Sequence, residues 1–252
     1  MGLSSVLFRV FCVPMAGAEA NRQSPVGAPA TDDRSPSYEP DPRNRVYWFL
    51  QTSVALIAPL YFRYRVRGIE NVPKTGPALV VANHQSFLDP VMVGLWLKRP
   101  VRFLARTTLY RGPIIRFVFE KLCTIPLNRD AASTASIRQA TAELRKGHMI
   151  GVFPEGTRSQ DGCIGPLKPG FIALVRRAKV PVIPAALAGT GAAFPRGAWF
   201  VRPKTCRLVF GPPLSPEKLA QVSGHGSEEA LLEMVRDAMT RCYEEACEWR
   251  SR

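Results

Sequence analysis

The chain has 252 residues, 46% of them hydrophobic, with 34 basic against 20 acidic side chains and a formal net charge of +14. That length allows one sizeable domain with a real core plus a tail, and the apolar content fits a globular protein with some membrane contact. The six cysteines form no Cys-x-x-Cys pair and no zinc spacing, which excludes a zinc module and points to free thiols in a reducing compartment.

Charge is unevenly placed. Residues 46–226 hold 25 basic against 8 acidic side chains, a net +17 that favours anionic partners such as acidic lipid, phosphorylated substrates or nucleic acid. No recognition helix, zinc finger or RNP-type sequence supports the last of these. Residues 1–15 are apolar but carry Arg9 in the middle and lack a basic start, so they do not fit a secretory signal. Residues 16–45 are rich in Pro, Asp, Ser, Ala and Arg without periodicity, the composition of a disordered linker. Val46–Phe62 carries no charge over 17 residues and is flanked by Arg43 and Arg45 on one side and Arg63, Arg65 and Arg67 on the other. As a helix it reaches about 25 Å, marginal against a ~30 Å hydrocarbon core. Its basic flanks and its interfacial Tyr47, Trp48, Tyr61 and Phe62 suit a helix lying in or dipping into an anionic leaflet, with a single span as the alternative.

Ala78–Ala82 reads as a buried strand and Pro90–Lys98 as an apolar helix, with Asp89 as its N-cap and Pro90 at its first position. Between them lies Asn83-His84-Gln85-Ser86-Phe87-Leu88, so a histidine and a carboxylate stand five residues apart on a strand-to-helix turn. In a regular helix that offset would separate them by about 140° and 7–8 Å, so they meet only if the turn folds back. Further strands are expected at Val101–Ala105, Leu122–Leu127, Met149–Phe153, Pro181–Leu187 and Cys206–Phe210. Helices are expected at Pro113–Glu120, Ser133–Lys146 (stopped by Gly147), Pro169–Ala178 and Ser227–Trp249. Alternating strands and helices predict an α/β domain with a largely parallel or mixed sheet flanked by helices.

A second motif, Phe153-Pro154-Glu155-Gly156-Thr157-Arg158-Ser159, follows the strand that ends at Phe153. Gly156 lets backbone approach a ligand, Arg158 offers a fork of donors suited to phosphate, and Glu155 is placed to hold that guanidinium. A β-turn with a solvated Arg–Glu pair is the plainer reading of the same residues. Val180-Pro181-Val182-Ile183-Pro184 is a third stretch, apolar and suited to an acyl-chain wall or the core. In this order the three resemble the glycerolipid acyltransferases, the PlsC-type lysophosphatidate acyltransferase family, over residues from about Ile69 to Pro213.

The resemblance implies His84 as general base, Asp89 as the carboxylate that orients it, and Glu155, Gly156, Thr157 and Arg158 at the acceptor's phosphate. Arg129 falls where the family has a second phosphate-binding block ending in arginine, but Cys123 and Pro126 depart from that pattern, as does Thr108 where a glutamate is expected. It also implies acyl transfer from acyl-CoA or acyl carrier protein to the sn-2 hydroxyl of lysophosphatidate, with no bound cofactor or metal, at the cytoplasmic face of a membrane as a monotopic or peripheral enzyme. The expected organisation is a tail over 1–45, a membrane-associated helix over 46–68, a catalytic core over 69–213 and a C-terminal helical segment over 214–252. Two other readings stay open: acylation of another lysolipid or alcohol by the same pair, and a non-catalytic membrane-binding protein on the same fold. Retention of both His84 and Asp89 counts against the second.

Overall fold

The computed structural model describes residues 45–106, 124–127, 134–159, 161–225 and 228–252. Strands β1 (Arg65–Arg67), β2 (Ala78–Ala82), β3 (Val101–Arg106), β4 (Ile125–Leu127), β5 (Met149–Val152), β6 (Val182–Ala188) and β7 (Arg207–Phe210) form one seven-stranded sheet in the order β1-β7-β6-β2-β5-β3-β4. Every neighbouring pair is parallel except β6 with β7, so β1 and β7 run against the other five. The sheet is mixed and the fold α/β, as the alternation of elements predicts.

Helices α1 (Arg45–Tyr61), α2 (Asp89–Gly94), α3 (Thr134–Arg145), α4 (Gly170–Ala178), the short α5 (Thr190–Ala193), α6 (Pro216–His225) and α7 (Glu228–Ser251) complete the described chain. Side chains alternate across a strand, and here each alternation feeds two cores. Ala78, Val80 and Ala82 of β2 pack with Ala58 and Phe62 at the α1 end and with Met92 and Val93 of α2. Leu79 and Val81 face the other way, toward Leu144 of α3, Ile172 of α4, and Leu231 and Val235 of α7. A strand covered on both faces must be apolar throughout, which is why β2, β5 and β6 read as unbroken hydrophobic runs. The Val180–Pro184 stretch thus enters a central strand and belongs to the core.

Several expectations are corrected. Arg65–Arg67, expected to belong to the membrane-associated segment, pairs with Arg207–Val209 as an edge strand. The helix expected over Pro90–Lys98 ends at Gly94. There the Gln51 side-chain nitrogen of α1 lies 3.1, 3.0 and 3.0 Å from the carbonyl oxygens of Gly94, Leu95 and Leu97, and its two hydrogens serve two of these acceptors at and just beyond the helix end. Helix α6 (Pro216–His225), between the expected strand Cys206–Phe210 and the expected helix Ser227–Trp249, is not among the elements the sequence predicts. Among the described residues no helix is long and apolar enough to cross a membrane. The tail over 1–44, the helix expected at Pro113–Glu120, Thr108, Cys123 and Arg129 lie outside the described residues.

Candidate active site

Parallel strands deliver their following loops to one edge of the sheet, and ligands in open α/β sheets gather there. β2 sits between β6 and β5, so three loops meet: 83–88 after β2, 153–169 after β5, and α5 after β6. The turn after β2 does fold back. His84 Nδ1 lies 2.9 Å from Asp89 Oδ2. The same oxygen accepts the backbone N–H groups of Gln85 and Ser86, each at 2.6 Å. Asp89 is therefore not the N-cap that the sequence suggests. Leu88 holds that position with no side-chain cap, and Asp89 turns its carboxylate back into the loop it follows.

The chemistry of this pair is set by its donors. A carboxylate only accepts, so His84 Nδ1 carries the proton and Nε2 presents its lone pair. Asp89 is fully buried, whereas the His84 side chain keeps 19% of its exposure. Nε2 has no hydrogen-bond partner among the described residues. An imidazole fixed in one tautomer with an open basic nitrogen can take a proton from a hydroxyl group.

Phe153 stacks on the His84 ring at 4.1 Å between centroids, and Phe103 stacks on Phe153 at 5.2 Å. This stack requires Gly151, directly opposite Phe103 in the sheet, where a Cβ would stand 2.4 Å from the Phe103 ring. Asn83 locks the turn to β6, donating to Leu187 O at 3.0 Å and accepting from Leu187 N at 2.7 Å. Gln85 donates to Gly162 O at 2.6 Å and Ser86 donates to Phe194 O at 2.9 Å. Asn83, Gln85 and Ser86 are all buried, though the sequence reading passed over them. The available signal was three polar residues in succession, His84 aside, directly after an apolar strand.

The second motif joins the first through backbone. Ser159 N donates to His84 O at 2.7 Å, and Glu155 Oε1 accepts the His84 N–H at 2.9 Å. Glu155 Oε2 accepts Gly165 N–H at 3.1 Å, so its carboxylate holds two loops and does not hold Arg158 as expected. Burial pushes the Glu155 carboxyl above its usual range, against the lowering effect of those two donors. Gly156 has φ 68°, a conformation that any side chain would strain, and Thr157 beside it is exposed. Arg158 lies over the Phe87 ring at 4.0 Å. Burial and the nearby Arg196 charge both favour its neutral form, which places a second cation, unforeseen from the sequence, close to it.

Among the described residues no group of His, Cys, Asp and Glu side chains converges as a metal site. Burial pushes the Cys206 thiol up to about 12 and Cys242 up to about 11, values at which neither forms a useful thiolate near neutrality.

Residues 63–188 match the family model described as Acyltransferase. A chloroplastic 1-acyl-sn-glycerol-3-phosphate acyltransferase of Brassica napus is 36% identical over 141 residues, 55% of this chain and 41% of that protein. The chain thus spans well under two thirds of the length of such plant relatives. A 1-acyl-sn-glycerol-3-phosphate acyltransferase of Bacillus subtilis is 25% identical over 75% of this chain and 92% of its own length. The crystal structure of the 1-acyl-sn-glycerophosphate acyltransferase PlsC from Thermotoga maritima superimposes with a TM-score of 0.65 at 30% identity, over 81% of this chain and 82% of that one. With the matched region running from the end of α1 through β6 and enclosing both motifs, the chain belongs to the Acyltransferase family.

Proposed function

We propose that this chain moves a fatty acyl group from a thioester, either acyl-CoA or acyl carrier protein, to the sn-2 hydroxyl of lysophosphatidate, giving phosphatidic acid. The observation that carries the reading is the 2.9 Å His84–Asp89 contact at the carboxyl edge of the parallel strands, with Nε2 left open. His84 Nε2 takes the hydroxyl proton as the oxygen attacks the thioester carbonyl. Asp89 steadies the imidazolium that forms. The tetrahedral intermediate then collapses, the C–S bond breaks, and the departing thiolate receives the proton from His84. No acyl-enzyme is needed: among the described residues no serine or cysteine side chain is hydrogen-bonded to the His84 ring, and the Ser86 hydroxyl is directed to Phe194 O instead.

Arg158 would grip the acceptor's phosphate, with Gly156 and Thr157 in the same loop and the Arg196 charge reinforcing it. Arg129 is assigned there by family resemblance. Glu155 serves by fixing the His84 backbone. The apolar outer face of α1 would rest in an anionic leaflet at the cytoplasmic side, bringing a lipid acceptor to the site.

Turnover of lysophosphatidate with acyl-CoA, read by product mass spectrometry, tests this. His84→Ala is expected to lose at least ~10²-fold in kcat while remaining folded, with a lowered melting temperature because the buried Asp89 carboxylate loses a donor. Arg158→Ala should lower kcat/KM for lysophosphatidate by roughly 10- to 150-fold and leave a neutral lysolipid little affected. Arg158→Lys should recover only part, since lysine lacks the planar fork. An active His84→Ala enzyme would overturn the mechanism, and equal losses on both acceptors would sink the phosphate assignment.

A further inference from the structure

Beyond the His84 loop, the same edge of the sheet carries a second concentration of unusual residues. β2 is followed across the sheet by β6, β7 and β1, with Ala188 opposite Arg207 and Arg207 opposite Arg65. The residues leading into β7 and β1 therefore reach the edge that holds His84, two to three strand spacings away, roughly 10–15 Å. A cleft of about 480 Å³ opens there, lined by Arg63, Lys204, Thr205 and Arg250 among others.

Its charge is uncompensated. Among the described residues none of Arg63, Lys204 and Arg250 is paired with a carboxylate, since Glu245 pairs with Arg67 and Glu248 with Arg252. Behind the cleft the buried Arg207 donates through its guanidinium to Arg63 O at 2.5 Å and to Cys206 O at 3.0 Å, fixing a further positive charge. Arg65, Arg67 and Arg250 all press on it electrostatically. The carbonyl end of α7 borders the cleft and offsets only about half a charge. A cluster of cations held together without counter-charges is arranged for an anion from outside.

Apolar residues beside it indicate where that anion comes from. Trp199 is 80% exposed and Phe200 55%, on the segment just before Lys204. This segment is tied to α1 by the Tyr61 hydroxyl, which donates to Val201 O at 2.8 Å. Leu56, Ile57 and Leu60 of α1 are exposed at that end of the helix. Arg202 lies against the Phe200 ring at 5.5 Å. Exposed indole and phenyl rings next to cations are what a lipid interface accommodates and a soluble phosphate ligand does not require.

We propose that this cleft binds the phosphate of an anionic phospholipid in the membrane, with Trp199 and Phe200 inserted among the neighbouring acyl chains. Arg63 and Arg250 offer guanidinium forks, Lys204 an ammonium and Thr205 a hydroxyl to the phosphate oxygens. The site rests on the membrane reading of α1 and adds to it a headgroup pocket separate from the acceptor grip at Arg158. It would hold the His84 edge against the leaflet from which a lipid acceptor enters.

The test is sedimentation of the full chain with vesicles of phosphatidylcholine alone or mixed with phosphatidylglycerol, without turnover. Each basic residue near an anionic leaflet is worth roughly fivefold in partition. The triple variant Arg63→Gln, Lys204→Gln, Arg250→Gln should therefore lose on the order of 100-fold on mixed vesicles and little on phosphatidylcholine. The double variant Arg63→Gln, Lys204→Gln should lose on the order of 25-fold on the same basis; it keeps the contact that Arg250 Nε makes with Thr205 O at 3.0 Å, and so serves if the triple variant melts early. Trp199→Ser with Phe200→Ser should weaken binding to both vesicle types. An unchanged ratio between the two vesicle types in the charge variants would overturn the site. So would a raised KM for acyl-CoA or lysophosphatidate in detergent, which would give the cleft to a substrate's phosphate. Failure of the α1 reading shows separately, as binding that survives substitution of α1 itself.

Discussion

At the scale of the residue, Asp89 concentrates the most information. Its Oδ2 accepts His84 Nδ1 and two backbone N–H groups from full burial, whereas Oδ1 has no hydrogen-bond partner. Asp89→Asn keeps shape but replaces the charged acceptor that three donors share. It is expected to destabilise the protein by about 1.5–3 kcal/mol, more than the ~1 kcal/mol of a lost helix cap, and to lower kcat as well. A wild-type melting temperature in that variant would return Asp89 to the helix-cap role that its place before Pro90 suggests. The sequence could not separate the two, because Asp-Pro at a helix start looks the same whether the carboxylate caps forward or folds back. Glu155 was misread for a similar reason. Its neighbour Arg158 is close in sequence, yet the carboxylate is taken up by the part-buried backbone donors of His84 and Gly165, and the half-buried guanidinium lies over the Phe87 ring instead.

At the scale of the element, α1 has two sides with different partners. Ala58 is buried and Gln51 caps the carbonyl end of α2, whereas Phe49 and Leu56 are each 71% exposed and Leu60 is 85% exposed. Replacing Phe49, Leu56 and Leu60 with Asp is expected to release the protein from vesicles with little change in melting, because those side chains contact little of the core. If the variant still pellets with lipid, α1 is not the anchor. The charge-free run made this helix legible, as unbroken apolar stretches did for β2, β5 and β6. β1 was not legible: it is three residues long with two exposed arginines, and only pairing with a distant strand makes it one. Helix α2 was overextended because the residue that serves acceptors at its end, Gln51, lies in another element.

At the scale of the whole molecule, the edge opposite the site is pinned by charge. The Arg102 guanidinium pairs with Glu143 and donates to His148 Nε2 at 3.1 Å, while His148 Nδ1 lies 3.2 Å from Glu143 Oε2. His148 is thereby held neutral, and burial with the Arg102 charge keeps its pKa below the usual histidine value despite Glu143. A lowered folded pKa means that the unfolded chain takes the proton first. The stability this gives is present above the unfolded value, near pH 6.5, and is lost as pH falls through the folded one. Melting temperature should therefore drop on acidification from about pH 7 to about pH 5, and His148→Gln should flatten that part of the profile. Glu155, shifted upward, acts in the opposite sense, so the difference between the two proteins isolates His148. An identical slope in both would remove the linkage. The two reversed strands have a consequence in time. Tyr61 and Val201, whose hydrogen bond ties the end of α1 to the segment before β7, lie 140 residues apart, and among the described strands β1 pairs only with β7. At about 5–20 residues per second, a ribosome needs roughly 7–30 s to make the chain between them. Throughout that interval α1 is made ahead of the strand that closes its end of the sheet, so on the membrane reading proposed above its apolar side would meet lipid before it meets a finished protein.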